Sequence, residues 1–332
     1  MRKVTVIICT YNRAASLQFT LKAISEQIVG DNDALDVIVV DNNSSDGTKA
    51  VFEGAEKNMP FSMQYVFEGR QGLSYARNAG IQSAMGELLI FTDDDVMPKM
   101  DWVSKTVAGF STHEADCVGG KVLPLWEEEK PSWLSAPRLE RHCEGLFAVL
   151  DHGDLPLIRD VAGRHENFVY GANMAFRRKL FAEVGLFRTD LGRMGSKLAG
   201  GEETEMLGRI LSLGKKVVWL PESVVYHRVA AERLRLPYMR RRRFEGGRSE
   251  YVSQPAAARK LPPWYYRQWF ITACNVVRHY LKGRRVEGVE SELYFWHQTG
   301  RIVARLEDTV RGFLGQRTNL RPVERKGSRT SP

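Results

Sequence analysis

The sequence contains few cysteines and no long apolar run. Its four cysteines lie far apart in 332 residues and form no Cys-x-x-Cys pair, which argues against a zinc-ligand set and against a disulfide framework. No stretch approaches the roughly 18 uncharged residues that a bilayer-spanning helix needs. The apolar run near the amino terminus stops at Thr10, as is typical of a buried strand and not of a signal peptide. We therefore expect a cytoplasmic protein with reduced thiols, whose only membrane contact would be peripheral, at the inner face of the cell membrane.

Acidic residues are scarce in the last third of the chain. Residues 231–332 contain 22 Lys and Arg against 9 Asp and Glu, a net charge of +13, whereas residues 1–230 have a net charge of −5. A basic tail can contact nucleic acid, anionic lipid or a phosphorylated acceptor, and charge alone does not choose among them. The hydrophobic content of 43% is enough for one large core, or for one core and a smaller module.

Short β-branched runs alternate with helical segments in the first part of the chain. The predicted strands are 4–9, 36–40, 65–67 and 87–91, and the predicted helices are 14–27, 46–57, 73–84 and 102–110. This alternation predicts an α/β fold in which right-handed βαβ units form a mostly parallel sheet flanked by helices. Ligands of such sheets bind beyond the carboxyl ends of the strands.

The alternation breaks at residue 124. Residues 124–170 are rich in Pro, Trp and charge, which predicts an insertion that shapes an acceptor site. Helices near 177–183 and 203–213 and strands at 216–220 and 224–226 follow in the prediction. We expect two domains, 1–230 and a helical, basic C-terminal extension over 231–332.

One helix of this extension is predicted at residues 264–281. It carries polar side chains at alternating spacings of four and three: Gln268, Thr272, Asn275, His279 and Lys282. Such a stripe favours a helix docked on the body with that polar edge in water. The alternative is a helix whose Trp and Tyr side chains touch an anionic membrane interface, helped by the arginines at 240–243.

Three predicted strand ends are unusually polar, at residues 10–13, 41–47 and 92–95. Asp93, Asp94 and Asp95 follow an apolar run directly, and three adjacent carboxylates are costly unless a cation neutralises them. Mg²⁺ and Mn²⁺ prefer carboxylate oxygens and complete their shells with phosphate and water. The alternative is an acidic turn that caps the next helix. Ser45 and Asp46 are likewise residue types that begin helices.

Seven segments occur in the order expected of one known family. They are VTVIICTYNR, VIVVDNNSSDGT, GLSYARNAGI, ELLIFTDDDV, YGANMAFRRKLFAEVGLF, GGEETEM and VVYH. Together, over residues 3–228, they resemble the family-2 glycosyltransferases of the GT-A fold. The resemblance implies that 1–123 is the nucleotide-sugar-binding part of the first domain and that 124–230 is its acceptor-binding and catalytic part.

The resemblance implies a role for each polar strand end. The expected nucleotide-sugar-binding residues are Thr10, Tyr11, Asn12, Arg13, Asp41, Asn43, Arg77, Asp93 and Asp94. Among them Asp41 would contact the base and Asp93 would lie nearest the ribose, while Arg77 would reach the diphosphate or else pair internally. Asp95 resembles the direct ligand of a Mn²⁺ or Mg²⁺ ion. His227 matches an additional metal ligand of some members, although a lone histidine at a strand end is more often structural.

The expected catalytic residues are Glu203 and, as the second choice, Glu202. An acceptor hydroxyl is a poor nucleophile, so a carboxylate must take its proton as the new bond forms. The family motif usually has Asp where this chain has Glu203. The alternative is that both glutamates only favour the amino terminus of a helix.

The resulting prediction is a metal-dependent, inverting glycosyltransferase of the hexosyltransferase type. The donor would be a nucleotide sugar, UDP-linked by default, and the acceptor a glycan or a lipid-linked hydroxyl in polysaccharide, glycolipid or related glycan synthesis. One alternative is a nucleotidyltransferase that uses the same metal and crevice. The other is a nucleic-acid-binding protein that acts through the basic tail, which the acidic, motif-bearing body disfavours.

Overall fold

The computed structural model describes residues 1–134, 136–160, 168–195, 200–254 and 259–318. Within these ranges the strands are β1 (Arg2–Thr10), β2 (Asp33–Asp41), β3 (Ser62–Phe67), β4 (Leu88–Asp93), β5 (Val96–Pro98), β6 (Cys117–Trp126), β7 (Leu157–Arg159), β8 (Met174–Arg177) and β9 (Val217–Val229). The helices are α1 (Ala14–Ser25), α2 (Thr48–Glu56), α3 (Leu73–Ser83), α4 (Trp102–Thr112), α5 (Pro137–Cys143), α6 (Leu180–Val184), α7 (Glu202–Ser212), α8 (Leu236–Ser253), α9 (Pro263–Leu281) and α10 (Arg285–Thr318).

The strands within the described ranges form one nine-stranded sheet. Its order is β3-β2-β1-β4-β8-β6-β9-β5, with β7 paired to β9. The pairs among β3, β2, β1 and β4 are parallel, whereas β8, β5 and β7 run antiparallel to their neighbours. The α/β fold with flanking helices and a helical C-terminal region is thus confirmed. The parallel part is the first half of the sheet, and the rest is mixed.

The inner strands of the parallel half of the sheet are buried on both faces. Val4, Val6, Ile7 and Ile8 of β1 are all buried, so the strand is covered on both faces, as parallel strands are. In α1, Leu17, Leu21 and Ile24 recur at helical spacing and are also buried. The helices therefore cover the sheet and leave the loops at its carboxyl edge to form a site.

Three predictions of local structure were wrong. Residues 174–177 form strand β8, so helix α6 begins only at Leu180. The two strands predicted at 216–220 and 224–226 are one strand, β9, because a register shift between Gly120 and Lys121 of β6 lets the pairing continue. The insertion predicted from residue 124 begins inside β6, and it also contains α5 and β7.

A second hydrophobic core joins the insertion to the C-terminal extension. Buried Leu134, Leu139 and Leu146 from the insertion pack in the same cluster as Leu234 and Leu293 from the extension. The two segments therefore stabilise each other, across the boundary that the sequence predicted at residue 230. The division into domains stays a prediction.

Helices α8, α9 and α10 form the helical part of the extension. Helix α10 packs against both α8 and α9. In the part of the chain that the structure describes, no helix combines the length and the apolar character that crossing a bilayer requires.

Candidate active site

The register of the parallel strands brings the three polar loops together. Thr10 at the end of β1 lies opposite Asp41 at the end of β2, and Cys9 lies opposite Asp93 at the end of β4. The side-chain oxygen of Asn12 accepts a hydrogen bond from the backbone of Ser45 at 2.7 Å, which ties the first loop to the second. The loops thus share one edge of the sheet, as the sequence predicted.

A cleft of about 360 Å³ opens at this edge. Residues from many separate parts of the chain line it, including Thr10, Tyr11, Arg13, Asn42, Arg77, Asp93, Asp94, Tyr170, Gly171, Arg193, Gly201, Glu202, Glu203 and Arg242. The loops after β1, β2 and β4 therefore face the amino-terminal turn of α7 and one residue of α8. The three loops form one wall of the cleft, and the expected catalytic glutamates lie on another wall of the same cleft.

Asp94 is held by neutral and charged donors from the first loop. Its carboxylate accepts hydrogen bonds from the Thr10 hydroxyl at 2.7 Å and from the Arg13 guanidinium at 2.9 Å. Burial, together with the charge of Asp95, raises the pKa of Asp94 to about 6 despite Arg13. Asp93, by contrast, is half-buried and lines the open cleft.

Asp95 and His227 lie side by side although they come from different strands. The Nε2 atom of His227 is 3.4 Å from one oxygen of Asp95, and the other oxygen accepts from Arg13 at 2.8 Å and from Arg233 at 2.9 Å. Burial alone would raise the pKa of Asp95. The positive groups around it, with His227, instead hold that pKa below its usual range.

The contacts of His227 define its tautomer. Arg233 approaches Nε2 at 3.0 Å, and a guanidinium can only donate, so Nε2 is an acceptor and the ring proton is on Nδ1. Nδ1 is buried, and no group among the described residues forms a hydrogen bond with it. Burial lowers the pKa of His227, and Arg233 lowers it further, which keeps the ring neutral. The single lone pair of Nε2 is therefore taken by Arg233 in this structure, and ligation of a metal ion by His227 stays a prediction.

Asp95 and His227 are residue types that could supply part of a ligand set for a divalent ion, although Arg13 and Arg233 contact the same atoms in this structure. No group of three or more His, Cys, Asp or Glu within the described residues is arranged to hold a metal. Two protein ligands are nevertheless the usual number for Mg²⁺ and related ions that keep phosphate and water in their shells. Carboxylate oxygen and neutral imidazole suit Mn²⁺ as well.

Glu203 and Glu202 share the cation Arg77. The Arg77 guanidinium bonds Glu202 at 2.8 Å and Glu203 at 3.4 Å, and Glu203 also accepts from the backbone of Gly171 at 3.2 Å. Glu202 is buried, whereas the Glu203 side chain is 21% exposed in the cleft. Burial would raise the pKa of Glu203, but Arg77 and backbone donors lower it below its usual value. Glu203 is therefore an ionised carboxylate that faces the cleft. Of the two roles that the sequence suggested for Arg77, contact with the diphosphate or internal pairing, the structure shows internal pairing.

The second loop contains both nucleotide candidates and helix-start residues. The buried carboxylate of Asp41 accepts from the Tyr65 hydroxyl at 2.5 Å and from the backbone of Ser44 at 2.9 Å, while Asn43 is exposed with a φ of 67°. Asp46 accepts from the backbone N–H groups of Thr48 and Ala14, the first residues of α2 and α1, although the N-cap positions themselves are Gly47 and Arg13. The expected contacts of Asp41 and Asn43 with a nucleotide stay predictions.

Sequence reasoning missed three residues that line the cleft and one, Arg233, that is buried behind it. Arg233 is buried against Asp95, whereas Arg193, Arg242 and Tyr170 line the cleft directly. Tyr170 begins one of the recognised segments, and Arg242 lies within a run of four arginines. The local sequence, however, does not predict that either side chain lies at this site. Arg193 comes from a loop and Arg233 from the short 3-10 helix Ala231–Leu234, and only the fold determines where these segments lie.

Comparison with known proteins identifies the family. The model of glycosyl transferase family 2 matches residues 5–185, which is more than half of the chain. The succinoglycan biosynthesis protein ExoM of Rhizobium meliloti is 29% identical over 243 residues, covering 73% of this chain and 72% of that protein. The glucosyl-dolichyl phosphate glucuronosyltransferase of Haloferax volcanii is 26% identical over 257 residues, covering 75% and 77%.

A solved structure gives the same result for the fold. The mannosyltransferase PcManGT from Pyrobaculum calidifontis, in complex with GDP-Man and Mn²⁺, superposes with a TM-score of 0.55 at 20% identity, over 96% of this chain and 81% of that chain. This similarity concerns the fold, while the family model concerns the sequence. The chain therefore belongs to glycosyl transferase family 2 and is a glycosyltransferase of the GT-A fold.

Proposed function

We propose that this glycosyltransferase is metal-dependent and inverting, and that it transfers a sugar from a nucleoside diphosphate to an acceptor hydroxyl. One observation carries the proposal. The ionised carboxylate of Glu203 faces the same cleft as Asp93 and Asp94, at the strand ends where this fold binds ligands. A base and a nucleotide-binding wall in one cavity are what direct transfer requires.

The reaction would proceed as a single displacement. Glu203 takes the proton of the acceptor hydroxyl while the acceptor oxygen forms a bond to the anomeric carbon. The bond from that carbon to the diphosphate oxygen breaks, and its electron pair leaves with the nucleoside diphosphate. Attack from the side opposite the leaving group inverts the anomeric carbon. Glu202, buried against Arg77, holds the arginine that in turn orients Glu203.

Asp95 and His227 are the residues that would hold Mn²⁺ or Mg²⁺. When bound, the ion supplies positive charge that offsets the charge of the diphosphate leaving group. Asp41, Asn43 and the Thr10 to Arg13 loop would hold the base and the rest of the nucleotide, with Asp93 near the ribose.

The donor and acceptor classes remain the broadest part of the proposal. UDP-sugars are the first donors to test and GDP-mannose the second, because a solved neighbour holds GDP-Man. The names of two relatives point to polysaccharide synthesis and to a lipid-linked sugar, so a glycan or a lipid-linked hydroxyl is the expected acceptor. The cytoplasmic location expected from the sequence belongs to the same proposal.

The test is incubation with a panel of nucleotide sugars and Mn²⁺. We expect release of nucleoside diphosphate, with loss of activity on chelation. Glu203→Gln should retain donor binding and lose transfer by about 10²–10⁴-fold, the usual contribution of a general base. Release of pyrophosphate would instead indicate a nucleotidyltransferase. Unchanged transfer in Glu203→Gln would move the base to another residue.

A further inference from the structure

Helix α9 presents apolar side chains to solvent. Leu281 is 83% exposed, Trp264 65%, Phe270 64% and Val277 59%. Phe270, Val277 and Leu281 are spaced by seven and four residues, so they form one stripe along the helix. Soluble proteins rarely leave a contiguous apolar stripe of this length in water without a partner.

The orientation of α9 only partly matches the one expected from its polar stripe, in which Gln268 and Lys282 are exposed and Asn275 and His279 are half-buried. Thr272, a member of that stripe, is buried, and the inner side of the helix is fixed by Trp269. The Trp269 ring stacks on Phe295 at 5.5 Å, and its indole N–H donates to Thr299 at 2.9 Å, both on α10. The packing on α10 therefore turns the apolar side outward.

Two arginines flank the exposed stripe, and the chain segment that contains the stripe has no acidic residue. Residues 251–286 contain no Asp or Glu, and their seven Lys and Arg are Arg259, Lys260, Arg267, Arg278, Lys282, Arg284 and Arg285. Arg267 and Arg278 lie beside the stripe on α9, both exposed. Neither forms an ion pair with any residue in the described part of the chain. The surface thus combines apolar groups with cations that lack acidic partners.

We propose that this surface docks on an anionic lipid bilayer. The outer face of α9, defined by Trp264, Arg267, Phe270, Val277, Arg278 and Leu281, would lie in the plane of the interface. Its apolar side chains would enter the headgroup region, and its arginines would contact lipid phosphates.

Other binding partners would satisfy only one of the two features of this surface, either the apolar stripe or the arginines. A second copy of the chain would cover the apolar stripe, but it would bring two acid-free basic segments against each other. A nucleic acid would neutralise the arginines and leave the stripe in water. An anionic bilayer satisfies both features, and its interface is where Trp and Tyr side chains are enriched.

Docking through α9 would set the position of the cleft. Helix α9 packs on α10, α10 packs on α8, and Arg242 of α8 lines the cleft. A chain held by the outer face of α9 would thus work close to the bilayer, where a lipid-linked hydroxyl would be found. The docking itself does not rest on the transfer reaction, because it is measured without donor or acceptor.

The test is sedimentation of the full chain with vesicles. We expect binding to vesicles of phosphatidylglycerol and phosphatidylcholine, and none to phosphatidylcholine alone. Arg267→Gln with Arg278→Gln should weaken binding about thirtyfold, as expected for two cations lost near an anionic surface. Phe270→Ser with Leu281→Ser should weaken it by at least about tenfold. Brominated lipid should quench tryptophan fluorescence in the full chain, and less in Trp264→Phe.

Matched controls test whether the effect is local. Lys57→Gln with Lys105→Gln removes the same charge from exposed positions of the sheet domain, and Met85→Ser with Met100→Ser removes exposed apolar groups there. Both control pairs should bind vesicles normally, and all variants should unfold at the temperature of the parent. Absence of vesicle binding, equal loss in the control pairs, or a dimer that Phe270→Ser with Leu281→Ser dissociates would overturn the proposal. Tighter binding to an oligonucleotide than to vesicles, lost with Arg267 and Arg278, would also overturn it.

Discussion

Glu202 and Glu203 have opposite pKa shifts because they share one cation. Burial and the charge of Glu203 together raise the pKa of Glu202 to about 7, against the effect of Arg77. Glu203 keeps the larger share of the positive field and stays ionised. Adjacent residues are thus suited to different tasks, one to hold a proton near neutral pH and the other to accept one.

The raised pKa of Glu202 predicts a pH-dependent stability. A carboxyl whose native pKa of about 7 exceeds its ordinary value of 4.5 stabilises the fold below the ordinary value and loses that contribution as pH rises through 7. Glu202→Gln removes the titration. Denaturant unfolding should therefore show that the variant gains stability relative to the parent between about pH 5 and about pH 8. A difference that is constant with pH would contradict the shift.

His227 predicts a metal-affinity change that is measurable without turnover. Nε2 lies beside Asp95 and is a neutral acceptor, so His227 would become a metal ligand if Arg233 moved away from it. His227→Gln should weaken Mn²⁺ binding in the presence of UDP by about tenfold or more, the scale of changes around metal ligands. Calorimetric titration measures this, with His113→Gln at the end of α4 as the control histidine. Equal Mn²⁺ affinity in both variants would assign His227 a structural role only.

At the scale of elements, the crossing of α8 and α10 depends on two glycines. A methyl group at Gly247 would collide with the carbonyl oxygen of His297, and one at Gly300 would collide with the carbonyl oxygen of Phe244. The helices therefore meet backbone to backbone. This close approach also fixes the turn of α8 that carries Arg242 into the cleft.

Neighbouring glycines of α8 provide a matched pair of variants. Gly247→Ala should lower the free energy of unfolding by about 1–3 kcal/mol, because the helices must move apart. Gly246→Ala meets no atom within 4 Å and should raise it by about 0.5–1 kcal/mol through helix propensity. Thermal unfolding of the two variants tests this difference in sign. Equal destabilisation of both variants would contradict the expected gain in helix propensity at residue 246 and the expected steric clash at residue 247.

The local sequence predicts some of these strands and helices correctly and others only in part. Strand β1 was predictable because it is a short, continuous apolar run rich in β-branched residues, and helix α1 because its buried residues repeat with helical spacing. Strand β9 was split in the prediction because Pro221 and Glu222 interrupt its apolar run, and only its pairing with β6 keeps it whole. The cleft carboxylates could be recognised from motifs. Arg233, which is 138 residues from Asp95, could not, because no periodicity records a contact of that separation.

At the scale of the whole molecule, charge and packing divide the chain differently. The net charge changes sign near residue 230, which suggested an independent basic module. The second hydrophobic core crosses that point, with Leu139 from the insertion and Leu293 from α10 in one cluster. The charge boundary is therefore a property of the surface, while the interior couples the insertion to the extension.

This coupling predicts that a substitution in α10 loosens the insertion. Leu293→Ala removes a fully buried side chain and should cost about 2–5 kcal/mol, whereas Leu306→Ala on the same helix removes one that is 58% exposed and should cost almost nothing. Limited proteolysis followed by mass spectrometry should show faster cleavage within residues 127–160 in Leu293→Ala than in Leu306→Ala. If cleavage increased only beyond residue 231, the insertion would be stable by itself, and the acceptor side of the cleft would not depend on the C-terminal helices. If cleavage increases within the insertion, the C-terminal helices, which include α9, also stabilise the part of the insertion that lines the cleft.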